Sequence, residues 1–136
     1  MKGLDTPALL ALLHGEGATK SILRSWAGEE LATTELNLLE LTAIALGGSP
    51  KGRSARLEAL GRLRRRLTVL PVDSKAQASL AARGAPSRSA ADLLLITTYA
   101  TLEGAGCAEV LTGAKSSTPP GHWKLKVRRL SNKHTK

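Results

Sequence analysis

Hydrophobic positions occur along the chain in two patterns, short continuous runs and longer stretches with helical spacing. The short runs GLD, LATT, LTVLP and CAEVLT are typical of buried strands. The longer stretches are typical of helices, as where Leu57, Leu60, Leu63 and Leu67 fall three or four residues apart on one face. Because strands alternate with helices, the sequence predicts an α/β protein with a parallel central sheet and helices on both faces.

Glycines and capping residues mark the ends of the predicted helices. These helices are TPALLALLHG, TKSILRSWAG, ELNLLELTAIALGG, the basic segment through Arg66, DSKAQASLAARG and SAADLLLITTYATLEG. After EVLT we expect a loop, a short edge strand and a basic tail. The length of 136 residues predicts one domain. We place that domain at 1–130 and the tail at 131–136.

Composition narrows the class of protein. Twenty Lys and Arg face eleven acids, which gives a formal charge of +9 and favours a polyanionic partner such as nucleic acid. The cations concentrate in 51–66 and 115–136, although such runs are equally typical of a solvated face. With no Phe, one Tyr and two Trp, the chain offers few platforms for base stacking, so contacts to phosphates would dominate. A single cysteine excludes a disulfide framework.

Targeting signals are not evident in the sequence. No run of about eighteen apolar residues is present, and the N-terminus lacks the pattern of a signal peptide. We therefore expect a soluble, cytoplasmic protein that does not enter a membrane.

Three acids differ from the others in their position. Asp5, Glu40 and Asp92 each lie in the first turn of a predicted helix or at the strand end before it. In a parallel sheet such positions share one edge. Three carboxylates at one edge repel one another, and a hard divalent cation with oxygen ligands would relieve that repulsion.

Helix capping is the alternative role for two of these acids. Asp92 follows Ser89 in a capping-box pattern, and Glu40 follows Asn37 at the same spacing. Asp5 differs, because Thr6 is the expected cap of its helix. Asp5 would then lie at a buried strand end without a local partner, and a buried carboxylate needs a cation or a raised pKa.

Five segments together resemble a known family in their order and spacing. MKGLDT, TTELNLLEL, LPVDSKAQASLAARG, SAADLLLITTYATLEG and EVLT resemble the PIN-domain ribonucleases of the VapC toxin type. The resemblance covers nearly the whole chain. It implies a three-layer α/β/α sandwich, Mg²⁺ or Mn²⁺ held by acids, and hydrolysis of RNA phosphodiesters by metal-activated water. It also implies a homodimer and a small antitoxin protein whose segment fills the acidic cleft.

The resemblance assigns roles to individual residues. It makes Asp5, Glu40 and Asp92 the first, second and third metal ligands and the catalytic residues. Further residues that we expect to contact the substrate are Thr6, Thr112, Lys115, Arg64 and Arg65.

The sequence departs from the family pattern at two places. The family usually has an acid two residues after the threonine that ends the last core strand, whereas here Thr112 is followed by Gly113, Ala114 and Lys115. Pro7 also replaces the small polar residue often found after the Asp-Thr pair. The missing acid keeps open a catalytically weak PIN-like protein that binds RNA or a partner. A nuclease that processes DNA is a further alternative, since duplex DNA would also satisfy the positive charge.

Overall fold

The structure is a computed structural model, and it describes residues 1–84, 89–113, 116 and 118–130. In that part of the chain five strands alternate with six helices. The strands are β1 (Lys2–Leu4), β2 (Leu31–Thr34), β3 (Thr68–Leu70), β4 (Glu109–Thr112) and β5 (Lys126–Arg129). The helices are α1 (Thr6–Leu13), α2 (Gly17–Ser25), α3 (Glu35–Gly47), α4 (Arg53–Arg64), α5 (Ser74–Arg83) and α6 (Ala90–Gly104).

The strands form one sheet in the order β3-β2-β1-β4-β5, and every neighbouring pair is parallel. The predicted α/β class is therefore confirmed, as is the short edge strand expected after EVLT. Strand β1 lies at the centre of the sheet, because it pairs with β2 on one side and with β4 on the other. The residue that follows β1 thus lies in the middle of the carboxyl edge.

Apolar side chains form two clusters, one on each face of the sheet. Leu111 belongs to the first cluster with residues of α1, α2 and α4, whereas its neighbour Val110 belongs to the second with residues of α6. Successive strand residues point to opposite faces, so these two clusters are the two interfaces of a three-layer α/β/α sandwich. This confirms the predicted architecture.

Helix α6 packs closely against the central strand. A Cβ atom added at Gly3 would lie 2.8 Å from Leu102 Cδ1, so a larger residue would require the Leu102 side chain to move. Gly3 thus allows α6 to pack close to β1. None of the described helices is long and apolar enough to cross a membrane.

Two of the predicted helix caps are wrong. Asp5, not Thr6, caps α1, because its carboxylate accepts a hydrogen bond from the Ala8 backbone N–H. Thr34 caps α3, so that helix begins before Asn37 and Glu40 lies in its second turn. The third prediction is confirmed, since the Ser89 hydroxyl caps α6 by accepting from the Asp92 N–H.

Candidate active site

Asp5 lies at the carboxyl end of β1 and is 1% exposed. One carboxylate oxygen accepts from the Ala8 N–H at 3.2 Å, and the other accepts from the Thr112 hydroxyl at the end of the neighbouring β4. Burial raises the pKa of Asp5 to about 6, and the charge of Glu40 adds to the rise. The bonds from Thr112 and Ala8 act in the opposite direction because they favour the charged form.

A chain of hydrogen bonds holds Glu40 beside Asp5. The Thr6 hydroxyl donates to Glu40 Oε1 at 2.5 Å and accepts from Asn37 Nδ2 at 2.9 Å. Asn37 is 2% exposed, and its amide oxygen accepts from the Thr34 hydroxyl at 2.6 Å. This role of Asn37 was not predicted from the sequence, although the Thr-x-x-Asn spacing directly after a strand was the available signal.

The three predicted acids line one cleft. Asp5, Glu40 and Asp92 share an open cleft of about 490 Å³ above the carboxyl edge of the sheet. Helices α1, α3 and α6 supply most of its walls, and Ser116 adds to them. The described residues nevertheless contain no group of three or more His, Cys, Asp or Glu placed closely enough to hold a metal ion. Asp5 and Glu40 interact directly through their charges, whereas Asp92 is half-buried on the α6 wall.

Comparison with known proteins agrees with this arrangement. The profile of the PIN domain family matches residues 3–127, which is most of the chain. The chain belongs to the PIN domain family. No curated protein sequence matches it significantly.

Solved structures with the same PIN fold include chains of toxin-antitoxin complexes. One is the crystal structure of VapBC2 from Rickettsia felis bound to a DNA fragment from the promoter, with a TM-score of 0.75, 10% identity, and coverage of 96% of this chain and 98% of that one. Another is VapBC-5 from Mycobacterium tuberculosis, with a TM-score of 0.65, 21% identity, and coverage of 95% and 98%. DNA-bound VapBC from Salmonella typhimurium gives a TM-score of 0.67, 16% identity, and coverage of 94% and 96%.

The carboxylates of this PIN domain fit a magnesium-type ion through Asp5 and Glu40. Mg²⁺ keeps several water ligands and is commonly held by one or two carboxylates together with substrate phosphates. Asp5 has a buried carboxylate whose ionisation costs free energy without a cation, and the carboxylate of Glu40, whose charge reaches Asp5, would be the second oxygen ligand. The roles of Asp5, Glu40 and Asp92 as metal ligands stay predictions.

The residues predicted to contact substrate fall into three groups. Thr6 and Thr112 are buried, at 6% and 0% exposure, and their hydroxyls hold the carboxylates of the site. Arg64 lines a different groove, between α3 and α4, and Arg65 is the exposed residue after α4. Lys115 lies outside the described residues. Substrate contact by these five residues therefore stays a prediction.

Pro7, one of the two departures from the family pattern, lies against Gly113, whereas Ala114, where the family has the acid, lies outside the described residues. A Cβ atom added at Gly113 would lie 3.0 Å from the Cβ of Pro7 and 3.0 Å from the Ser116 hydroxyl. A larger residue at position 113 would thus press on the first turn of α1, which carries Asp5 as its cap. The glycine and the proline are consequently coupled features of one tightly packed wall.

We expect Thr112→Val to weaken Mn²⁺ binding by about tenfold or more, because Asp5 loses the hydroxyl that orients it. Thr33→Val is the matched control. Thr33 is equally buried, and its hydroxyl donates to the Leu4 carbonyl at 2.8 Å rather than to an acid. Both variants should lose about 1 kcal/mol of stability, and calorimetric Mn²⁺ titration should separate them. Equal Mn²⁺ affinities would contradict the role assigned to Thr112.

Proposed function

We propose that this chain is a metal-dependent endoribonuclease of the VapC toxin type. The observation that carries the proposal is the buried carboxylate of Asp5, raised in pKa and facing Glu40 in an open cleft at the carboxyl edge of a PIN sheet. In parallel α/β sheets this edge is where ligands bind. We assign this function to residues 1–130, followed by a basic tail at 131–136, in a protein that acts in the cytoplasm.

Asp5, Glu40 and Asp92 are the residues proposed to hold Mg²⁺ or Mn²⁺. When bound there, such an ion supplies Lewis-acid stabilisation of negative charge and lowers the pKa of a water ligand. Thr112 favours the charged form of Asp5, and Thr6 orients the Glu40 carboxylate. The formal charge of +9 supports RNA as the substrate, because phosphate contacts dominate the affinity of proteins for nucleic acid.

A small antitoxin is the protein partner that we propose for the cleft. Apolar side chains of Leu10, Ile44, Leu94 and Leu95 line the walls beside the acids. A segment that carries apolar side chains and one cation would satisfy both parts of the cleft. The structural neighbours described as VapBC complexes support a partner of this kind.

A homodimer is the assembly that we propose, and a groove between α3 and α6 supports it. Leu39, Val72 and Leu93 line this groove and are 66%, 42% and 52% exposed. Contiguous exposed apolar side chains are a common mark of a protein interface.

We expect Leu39→Lys to convert dimers into monomers, because it places a charge in the proposed interface. Leu46→Lys is the control, since Leu46 lies on the same helix, is 46% exposed and does not line this groove. Light scattering coupled to gel filtration measures the mass of each variant. A dimer that persists in Leu39→Lys, or that is lost equally in Leu46→Lys, would place the interface elsewhere.

The proposed function is tested by RNA cleavage with Mn²⁺, with Mg²⁺ and with EDTA, on structured and unstructured RNA. We expect cleavage in both metal arms and none in EDTA. Tight RNA binding that needs no metal, without any cleavage, would instead support the alternative of a PIN-like binding protein. The lack of a three-acid cluster among the described residues is the observation that favours this alternative. Cleavage of duplex DNA in place of RNA would support the DNA-processing alternative.

A further inference from the structure

The edge strand β5 carries three cations and lies next to the strand that ends at the active site. Lys126, Arg128 and Arg129 are exposed, and β5 pairs with β4 alone in the described sheet. Glu103 of α6 contacts the residues that precede this strand, because its carboxylate accepts a hydrogen bond from the Lys124 N–H at 2.6 Å. The backbone of β5 is thereby tied to the same helix that supplies one wall of the acidic cleft.

Arg129 lies at the active-site end of β5. It pairs with Thr112, whose hydroxyl donates to Asp5. Its Nε donates to the Ser116 carbonyl at 3.2 Å, and its Nη2 donates to the Thr118 hydroxyl at 2.5 Å. Ser116 itself lines the acidic cleft. The guanidinium is therefore held in one orientation at the rim of that cleft.

The buried hydroxyl of Tyr99 lies within electrostatic range of both Asp5 and Arg129. Tyr99 is 0% exposed, and its hydroxyl has no hydrogen-bond partner among the described residues. Burial, together with the charge of Asp5, raises the pKa of Tyr99 to about 12, and the charge of Arg129 opposes the rise. The charges of the Asp5 carboxylate and the Arg129 guanidinium thus both act on the Tyr99 hydroxyl.

The neighbouring Arg128 has a different environment. Side chains of a strand alternate between its two faces, so Arg128 points away from the face that Val127 and Arg129 share. Val127 packs against the cluster that contains Tyr99, whereas Leu130 packs against the opposite cluster. Arg128 makes no hydrogen bond or ion pair within the described part of the chain. It has the same charge as Arg129 without the same anchoring.

Charge balance gives Arg129 a role in the proposed reaction. An acidic cleft repels the phosphates of RNA, and a cation at its rim offsets that repulsion for the nucleotide next to the cleaved bond. Arginine suits this task because its planar guanidinium has five N–H donors and binds phosphate in a forked geometry. Two of those donors are used towards Ser116 and Thr118, and the guanidinium makes no further hydrogen bond to the described residues.

We propose that Arg129 binds an RNA phosphate beside the scissile one and positions the substrate over Asp5 and Glu40. This inference rests on the proposed function. It names the edge strand β5, which lies in the basic stretch 115–136, as one side of the RNA-binding surface.

The test compares Arg129→Gln with Arg128→Gln, which remove equal charge from adjacent positions. The probe is a short fluorescein-labelled single-stranded RNA of mixed sequence, and its affinity is measured in EDTA, where no cleavage is expected. We expect Arg129→Gln to weaken binding about tenfold and Arg128→Gln to change it by less than about twofold. The slope of log affinity against log salt should fall by about 0.7 in Arg129→Gln, as for one lost phosphate contact.

Arg129→Lys separates the charge from the forked geometry. It should bind RNA with an affinity between those of the wild type and Arg129→Gln. It replaces Arg129→Gln in the comparison if that variant unfolds at a lower temperature than the wild type. Equal losses of RNA affinity in Arg128→Gln and Arg129→Gln would indicate a solvated basic face and would overturn the inference. Unchanged RNA affinity in both variants would overturn it as well. Binding in EDTA decides the role of Arg129, whereas cleavage with Mn²⁺ decides the proposed function, so the two can fail separately.

Discussion

Asp5→Asn should abolish metal binding and RNA cleavage, and it should also make the metal-free protein more stable at neutral pH. The first effect follows because the variant loses the buried charge at the centre of the proposed site. We expect Mn²⁺ affinity and the single-turnover rate to fall by at least about 100-fold. The second effect follows because the pKa of Asp5 is raised from 3.8 to about 6. Ionising Asp5 therefore costs more free energy in the folded protein than in the unfolded chain.

The sign of the stability effect depends on pH. Because the pKa of Asp5 is raised in the folded state, the free energy of unfolding falls as pH rises from about 4 to about 6. Above that range the loss is complete. A shift of about two units corresponds to about 3 kcal/mol, which is an upper estimate of the gain in Asp5→Asn near pH 7.5. Asparagine caps a helix about as well as aspartate, so α1 should keep its first turn.

Asp73→Asn is the matched control for both measurements. Asp73 caps α5 as Asp5 caps α1, but Asp73 is exposed and lies outside the acidic cleft. Urea unfolding in EDTA at pH 4 and pH 7.5 should show a gain in stability for Asp5→Asn at the higher pH alone, and none for Asp73→Asn. Equal Mn²⁺ affinity in the wild type and Asp5→Asn would place the metal elsewhere.

The fold class could be predicted from the sequence because the continuous apolar runs of the chain coincide with buried strands. The run LATT is a strand buried on both faces, and EVLT has the same character, so a continuous apolar run marked each correctly. The sheet order could not be predicted in this way. It depends on which crossovers pack best, and periodicity carries no information on strand neighbours.

The gathering of Asp5, Glu40 and Asp92 at one edge of the sheet was predicted from their position at strand and helix ends, but their supporting bonds were not. Thr6 and Asp5 are both good caps, and the local sequence does not decide between them. The tertiary structure decides, because the Thr6 hydroxyl is drawn into the bond to Glu40 and leaves Asp5 to cap α1. The roles of Asn37 and Thr112 depend on contacts between distant segments, which the sequence does not reveal.

Arg129 shows the same difference between local and tertiary information. The sequence indicates a run of cations after position 115, which a solvated face would also explain. The pairing of Arg129 with Thr112 and its hydrogen bonds to Ser116 and Thr118 distinguish it from its neighbour Arg128. The net charge therefore predicts the class of ligand, whereas the register of β5 predicts the residue that meets it.

Glu40→Gln should reduce RNA cleavage by at least about 100-fold and should lower the pKa of Asp5. The loss of activity follows from the removal of the second proposed ligand charge beside Asp5. The pKa falls because the charge of Glu40 contributes to its rise. Single-turnover cleavage with Mn²⁺ measures the first effect, and NMR titration of the Asp5 carboxyl in EDTA measures the second. Glu35→Gln is the control, since Glu35 lies on the same helix, is exposed and does not line the acidic cleft.

The comparison with Asp92→Asn then ranks the two remaining acids. The charge of Glu40 reaches Asp5, whereas Asp92 lies on the α6 wall with its N–H donating to Ser89 at 3.1 Å. We therefore expect Asp92→Asn to reduce RNA cleavage less than Glu40→Gln does and to leave the pKa of Asp5 nearly unchanged.

The double variant of Asp5→Asn and Glu40→Gln should cleave RNA no more slowly than the slower single variant, because residues that hold one ion act as a unit. A double variant whose losses multiply would mean that the two carboxylates work independently, and the shared site would be refuted.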